Sequence, residues 1–267
     1  MLKLMLVTSD IETIKIAQEA GVDRIFLDLE YINKNERQKG RNTLISNNKI
    51  EDVSKLRGII NKSEFLVRVN PIHPESETEI NRVIEDGADI VMLPMVMDSD
   101  DVETFVKLVN KRAKVCLLLE TAQSLVRLDD ILEVEGIDEI HIGLNDLHIS
   151  LGLDFMFETL TGGVIEYMIN KIKLKGIPYG FGGIAKIGEG VVPTEHILGE
   201  HYRLGSSMVI LSRTFRNEVG NLNKEVNLNE EIKKVREYEK YIHSWNMENY
   251  LENKKLVRDY VRNIVSK

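Results

Sequence analysis

Two runs decide how this chain is read: Asp89-Ile90-Val91-Met92-Leu93-Pro94 and Lys114-Val115-Cys116-Leu117-Leu118-Leu119-Glu120. Each has a continuous apolar middle. A strand wetted on one face alternates apolar and polar side chains. An unbroken apolar run indicates a strand covered on both faces, as in a parallel sheet wrapped by helices. Between the two runs, Val102, Phe105, Val106 and Val109 recur at helical spacing behind Asp98, a residue suited to cap a helix. The unit is therefore strand, helix, parallel strand.

The same unit repeats in both directions. Further β-rich runs are Leu2–Thr8, Arg24–Leu29, Glu64–Asn70, Glu139–Leu144, Ile177–Gly182 and Met208–Ser212. Helical sets lie between them: Ile80, Val83, Ile84 and Gly87; Leu125, Leu128 and Leu132; Val164, Ile165, Met168, Ile169 and Ile172. Asp10 stands at another cap position. This repetition predicts an α/β fold, a (β/α)8 TIM barrel. A doubly wound open sheet usually carries a glycine-rich turn after its first strand, and Val7-Thr8-Ser9-Asp10 is not one.

Residues 216–267 differ from the rest. They are rich in charge and lack proline. Ile232, Val235, Tyr238, Ile242 and Trp245 share one helical face, and Tyr250, Val257, Tyr260 or Val261, and Ile264 share a second. The expected division is a barrel domain over 1–215 and a C-terminal helical extension over 216–267, packed on the barrel or on a neighbouring subunit.

Composition narrows the function. The chain has 267 residues, 43% hydrophobic and 29% charged, which suits a packed globular protein. Its 35 basic and 43 acidic residues leave a net charge of −8, which argues against nucleic-acid binding but not against a small anionic substrate. The single cysteine, Cys116, excludes an internal disulfide framework and reads as a core residue. No stretch has the length and apolarity of a membrane span, and Met1–Val7 is too short for a signal-peptide core. A cytoplasmic protein is expected.

A barrel's chemistry sits at the C-terminal ends of its strands. Asp28 and Glu30 close the second run, Arg68 and Asn70 the third, Glu120 the fifth, and Asp146 follows the sixth. Residues two apart on a strand point the same way, so Asp28 and Glu30 both face the mouth. Two carboxylates from separate strands near an arginine suit a divalent ion, Mg2+ or else Mn2+ or Co2+, holding a 2-oxo acid and stabilising its enolate. Arg68 would pair with substrate carboxylate or enolate oxygen. The plain alternative is that these carboxylates are caps or loop salt bridges, with Lys34, Arg37 and Arg41 pairing Asp28 and Glu30. His148, two residues past Asp146, is either an acid–base group or a loop histidine bonded to backbone, and His141 reads as barrel interior. Gly180-Phe181-Gly182-Gly183 and Gly205-Ser206-Ser207 are candidate anion loops or tight turns.

These residues also carry a resemblance. Leu118-Leu119-Glu120-Thr121, then Val134 through Leu147 with Gly143-Leu144-Asn145-Asp146, and Leu151-Gly152, resemble the signature of the HpcH/HpaI aldolase and citrate lyase β family. Gly87 through Val96 is similar to that family's fourth-strand motif. The resemblance implies a phosphoenolpyruvate/pyruvate-type barrel with metal ligands Glu120 and Asp146 and with Arg68 as the substrate arginine. It also implies substrate carboxylate held by amides at Asn145 and Asp146, and a homo-oligomer with exchanged C-terminal helices. Those aldolases carry a histidine after strand two. Here the segment is Asp28-Leu29-Glu30-Tyr31, so the histidine's proton-transfer role is either missing or taken by His148, Tyr31 or a metal-bound water. Glu36-Arg37 and Val67-Arg68-Val69-Asn70-Pro71 lean toward the citrate lyase β and malyl-CoA branch.

The expected activity is a metal-dependent carbon–carbon lyase, an aldolase of the class II pyruvate type acting on a hydroxy-oxo acid. In it Asp28 and Glu30 hold water or a proton. The alternatives are a CoA-thioester lyase, with Lys34, Arg37 or Arg41 meeting the acyl-CoA phosphates, and a non-catalytic barrel that binds a small acid.

Overall fold

The computed structural model describes residues 1–32, 48–216 and 226–266. Eight parallel strands close into a barrel in chain order: β1 (Lys3–Val7), β2 (Arg24–Asp28), β3 (Glu64–Arg68), β4 (Ile90–Leu93), β5 (Lys114–Leu119), β6 (Glu139–Ile142), β7 (Tyr179–Ile184) and β8 (Met208–Leu211). Each of the eight runs read from the sequence contains or overlaps one strand. β8 pairs with β1 in parallel, Leu4 opposite Val209, and no edge is left open.

The helices follow the apolar sets. They are α1 (Ile11–Glu19), α2 (Glu51–Arg57), α3 (Ser76–Glu85), α4 (Ser99–Val109), α5 (Ala122–Val126), α6 (Leu128–Glu133), α7 (Leu144–Ser150), α8 (Glu158–Thr161), α9 (Val164–Leu174) and α10 (Thr194–Leu204). After β8 come α11 (Leu228–Ile242) and α12 (Met247–Val265). Asp10 caps α1 by accepting from Thr13 N, and Asp98 caps α4 by accepting from Asp101 N.

Two apolar layers result. The outer one lies between sheet and helices and holds Leu4, Leu6, Ile25, Leu27, Val91, Leu93, Leu117 and Leu119. The inner one fills the lumen with Met5, Phe26, Leu66, Met92, Cys116, Leu118 and Met208. Cys116 is thus a buried filler, as its surroundings in the sequence suggested. His141 is also internal and fully buried. Its Nε2 lies 3.0 Å from the Gly182 carbonyl, and burial brings its pKa down to about 4.

Both tail helices pack against helices of the same chain. α11 packs against α1 and α10, the slot of the helix that follows β8, so it completes the barrel's own ring. Its Glu239 is fully buried. One oxygen accepts from Leu2 N at 2.8 Å and from Tyr202 Oη at 2.8 Å, and the other accepts from Arg236 at 2.7 Å. Only α12 is additional. It lies on α10 and α8 of the same chain, with Val257 and Val261 buried and Tyr260 largely exposed.

The floor of the lumen carries an ion cluster. Arg24, fully buried, grips Glu139 with two bonds of 2.6 and 2.8 Å and Glu64 with a third of 2.8 Å. Burial pushes the Glu64 carboxyl up, but Lys114 and Arg24 outweigh it and hold it down at about 2. Its contribution to stability is present above about pH 4.5 and disappears as the pH falls toward 2. Replacing Arg24 strands a buried Glu139 carboxylate. Arg24→Met is therefore expected to lower unfolding stability by about 3–5 kcal/mol in urea melts, and adding Glu139→Leu to recover most of that loss. A single variant as stable as the parent would contradict this reading of the floor.

Candidate active site

The residues chosen from the sequence converge at the opposite end, where the strands finish. Arg68 ends β3 and reaches across to Asp28, which ends β2. Its Nε and Nη2 donate to the two carboxylate oxygens at 2.9 and 2.8 Å. Glu30 stands 3.4 Å from Nη2. The guanidinium also lies over the Phe26 ring, 5.6 Å from its centroid. Burial alone would lower the pKa of Arg68. The charges of Asp28 and Glu30 more than offset that and keep it protonated. A forked, stacked guanidinium of this kind is held in one orientation, which a lysine would not be. Asp28 thus meets Arg68 with both its oxygens, and its Oδ1 also accepts from the Glu30 amide at 3.1 Å.

Glu120 follows β5 and is almost fully buried. Its Oε1 accepts from the Met95 amide at 3.2 Å. Met95 has φ of 53°, a left-handed conformation unusual for its type, and this turn after β4 aims its N–H at the carboxylate. On the other side sits Gly143, where a Cβ would fall 2.6 Å from Glu120 Oε2. Only glycine leaves room for the carboxylate there. Burial and then the nearby Asp146 charge push the Glu120 carboxyl well above its ordinary range, against the pull of Arg68.

Asp146 lies in the first turn of α7, with Gly143 at its N-cap. Its Oδ1 accepts from Asn145 Nδ2 at 3.3 Å. The first-turn amides of Asn145 and Asp146 precede the helix's own hydrogen bonding and can meet an anion. His148, further along α7, is buried, and its Nδ1 lies 3.2 Å from the Leu144 carbonyl, so the ring lies along its own helix. Tyr31 is exposed, and its backbone N–H donates to Asn70 Oδ1 at 2.9 Å.

Neither glycine-bearing segment forms an anion loop. Gly180 through Gly183 lie inside β7, where the pairing with β8 slips by a bulge and a Cβ at Gly180 would collide with the Met208 carbonyl. Gly205-Ser206-Ser207 precedes β8 and so lies at the floor end. Lys34, Arg37 and Arg41 are outside the described residues.

Sequence reading missed a relay beside Asn70. The Asn70 side chain accepts from the Tyr31 and Ile32 amides and donates to Glu79 Oε1 at 2.7 Å, and Glu79 Oε2 lies 3.0 Å from His73 Nε2. It fixes the start of the loop after β2. No local spacing announces a contact between a strand end and the first turns of α3.

No group of three or more His, Cys, Asp and Glu side chains stands at metal-holding spacing among the described residues. A surface groove of about 620 Å³ between α8 and α12 contains none of the mouth residues. No helix among the described residues is long and apolar enough to cross a membrane.

The family model described as HpcH/HpaI aldolase/citrate lyase matches residues 3–160, which include Asp28, Arg68, Glu120 and Asp146. The chain belongs to that family. Among curated relatives, the 2-keto-3-deoxy-L-rhamnonate aldolases of Escherichia coli O17:K52:H18 and Shigella sonnei are each 28% identical over 141 residues, covering 41% of this chain and 53% of theirs. The chain spans about half the length of these relatives. Two solved family structures share the fold. An HpcH/HpaI aldolase from Desulfitobacterium hafniense DCB-2 has a TM-score of 0.63 at 16% identity, covering 92% of this chain and 94% of that one. A family protein from Burkholderia cenocepacia J2315 has 0.64 at 17%, covering 91% and 95%. Citrate synthase SbnG has 0.62 at 18%, covering 79% and 86%. Both the barrel and the family of aldolases and lyases expected from the sequence are thereby established.

The Glu120 carboxyl gives a direct check on this geometry. In metal-free protein it is expected to titrate well above an ordinary glutamate. Stability should therefore fall as the pH rises from about 4.5 through that raised value. Asp146→Asn should bring the titration down, read by isotope-edited infrared or carboxyl NMR. An unchanged Glu120 titration in that variant would show that Asp146 lies too far away to matter.

Proposed function

We propose that the chain is a divalent-metal-dependent carbon–carbon lyase that cleaves or forms a hydroxy-oxo acid with pyruvate or a close relative as the enolate partner. The observation that carries this reading is a buried Glu120 carboxyl kept beside Asp146, with Arg68 oriented toward the same mouth. A buried carboxyl whose ionisation is made costlier by a neighbouring acid is the setting a dication relieves. The donors are oxygens, and Mg2+ is commonly held by one or two carboxylates while keeping water and substrate oxygens. Mn2+ or Co2+ would fit the same donors. The room that Gly143 leaves beside Glu120 Oε2 agrees with this.

Glu120 and Asp146 would hold the ion, which supplies Lewis-acid polarisation of the oxo acid when bound. The remaining work falls to the chain. First-turn amides of Asn145 and Asp146 would take the substrate carboxylate. Arg68 Nη1, free of a hydrogen-bond partner among the described residues, would face the oxygen on which negative charge develops. Asp28 keeps Arg68 in register. Glu30, almost fully buried beside it, would hold the proton that is moved. Phe26 and Leu118 beneath the mouth keep water from entering below.

Glu120→Gln is expected to abolish divalent-ion binding in calorimetry. It should also lower turnover by at least about a hundredfold, the effect of losing several kcal/mol of charge stabilisation. Undiminished metal affinity in that variant would end the assignment. Arg68→Lys should leave metal affinity unchanged and reduce kcat by about ten- to a hundredfold, because the point charge no longer keeps the fork's orientation.

A further inference from the structure

Asn70 stands just past the end of β3, and its side chain carries on where the sheet stops. A backbone bond from Leu29 N–H to the Arg68 carbonyl, 2.9 Å long, extends the pairing of β2 with β3 one step beyond both strands. In a parallel ladder the next donor on that strand is two residues further, at Tyr31. Its N–H goes instead to the Asn70 side chain, donating to Oδ1 at 2.9 Å, and Ile32 N–H donates to the same oxygen at 3.0 Å. Glu30 N–H donates to Asp28 Oδ1 at 3.1 Å. Three consecutive amides are thus held by two side chains, those of Asp28 and Asn70.

The Asn70 side chain is itself fixed. It is buried, and its Nδ2 donates to Glu79 Oε1 at 2.7 Å. Its own backbone N–H faces both Glu79 oxygens, at 3.4 and 3.3 Å. Glu79 Oε2 lies 3.0 Å from His73 Nε2, while Glu75 N–H donates to His73 Nδ1 at 3.2 Å. Nδ1 is therefore the accepting nitrogen, and Nε2 carries the proton that meets Glu79. The amide of Asn70 has one workable orientation. Two N–H groups on one side demand its oxygen, and a carboxylate on the other demands its NH2. Glu79 belongs to α3, so that helix braces the segment after β2 through Asn70.

That segment carries Glu30. Its carboxyl is almost fully buried, with Oε2 3.4 Å from Arg68 Nη2. Arg68 is oriented by other means, the Asp28 fork and the Phe26 ring. We propose that Asn70, with Glu79 and His73 behind it, is a positioning residue that sets where the Glu30 carboxyl stands beside Arg68. The consequence for turnover rests on the proposed lyase reading, in which Glu30 holds the proton that is moved. Loss of Asn70 then slows proton transfer while metal and oxo acid still bind.

Exchange of the pyruvate methyl protons with deuterated water, followed by NMR with Mg2+ present, tests that consequence. Asn70→Ala is expected to lower kcat for exchange at least about tenfold and to leave KM for pyruvate unchanged. Asn70→Asp keeps the side chain's size but sets a second acid against Glu79, and it should be similarly slow. Asn70→Asp combined with Glu79→Gln restores the contact with donor and acceptor interchanged, and should regain most of the lost kcat. Amide hydrogen exchange reads the placement without turnover. The Tyr31 and Ile32 amides should exchange at least about tenfold faster in Asn70→Ala and regain protection in the double variant. Unchanged protection of both amides in Asn70→Ala overturns the proposal, as does unchanged kcat or a double variant no faster than Asn70→Asp. A parent that exchanges no pyruvate protons would count against the lyase reading, and the two amides then decide the role of Asn70 by themselves.

Discussion

The mouth of this barrel is organised by the repulsion between two acids. Glu120 comes from the end of β5 and Asp146 from the turn after β6, and the charge of Asp146 adds to burial in raising the cost of ionising Glu120. Such an arrangement persists only because the surroundings enforce it. The Met95 amide, delivered by a left-handed residue, holds one oxygen of Glu120. Gly143 leaves the other oxygen its space. The stiffness of a closed parallel sheet keeps these pieces in place, since each strand end is fixed by two neighbours.

Arg68 is the counterpart of that pair. Its fork is committed to Asp28, its face lies on Phe26, and its charge acts on Glu120. Asp28 and Glu30 therefore do different work, although they look alike in the sequence. One orients the guanidinium. The other sits beside it, buried, 3.4 Å from the guanidinium. The floor of the same lumen repeats the ionic theme for another purpose, with Arg24 tying β2 to Glu139 and Glu64.

Much of this was legible in the residue order. Apolar runs such as Ile90–Leu93 mark strands because burial on both faces leaves no polar alternation, and the residues that end them must lie at the mouth. That argument located Asp28, Arg68 and Glu120 without any coordinates. It went astray where position depends on three-dimensional detail. Gly180 and Gly183 look like a loop in sequence but serve a bulge inside β7, because a strand that bends against Met208 also needs missing side chains. Gly205-Ser206-Ser207 was placed beside the correct strand but at its wrong end. α11 is highly charged. It closes the helix ring all the same, using a narrow apolar stripe of Leu228, Ile232, Val235 and Ile242. The Asn70–Glu79–His73 relay and the left-handed Met95 left no signal, since neither follows from local spacing.

The account stands or falls on what sits between Glu120 and Asp146. Crystals soaked with Mn2+ and oxalate, measured at the manganese edge, test it most directly. One anomalous peak bonded to oxygens of both carboxylates, with oxalate between it and Arg68, is predicted. A peak at another location, or no peak under saturating Mn2+, would contradict the account.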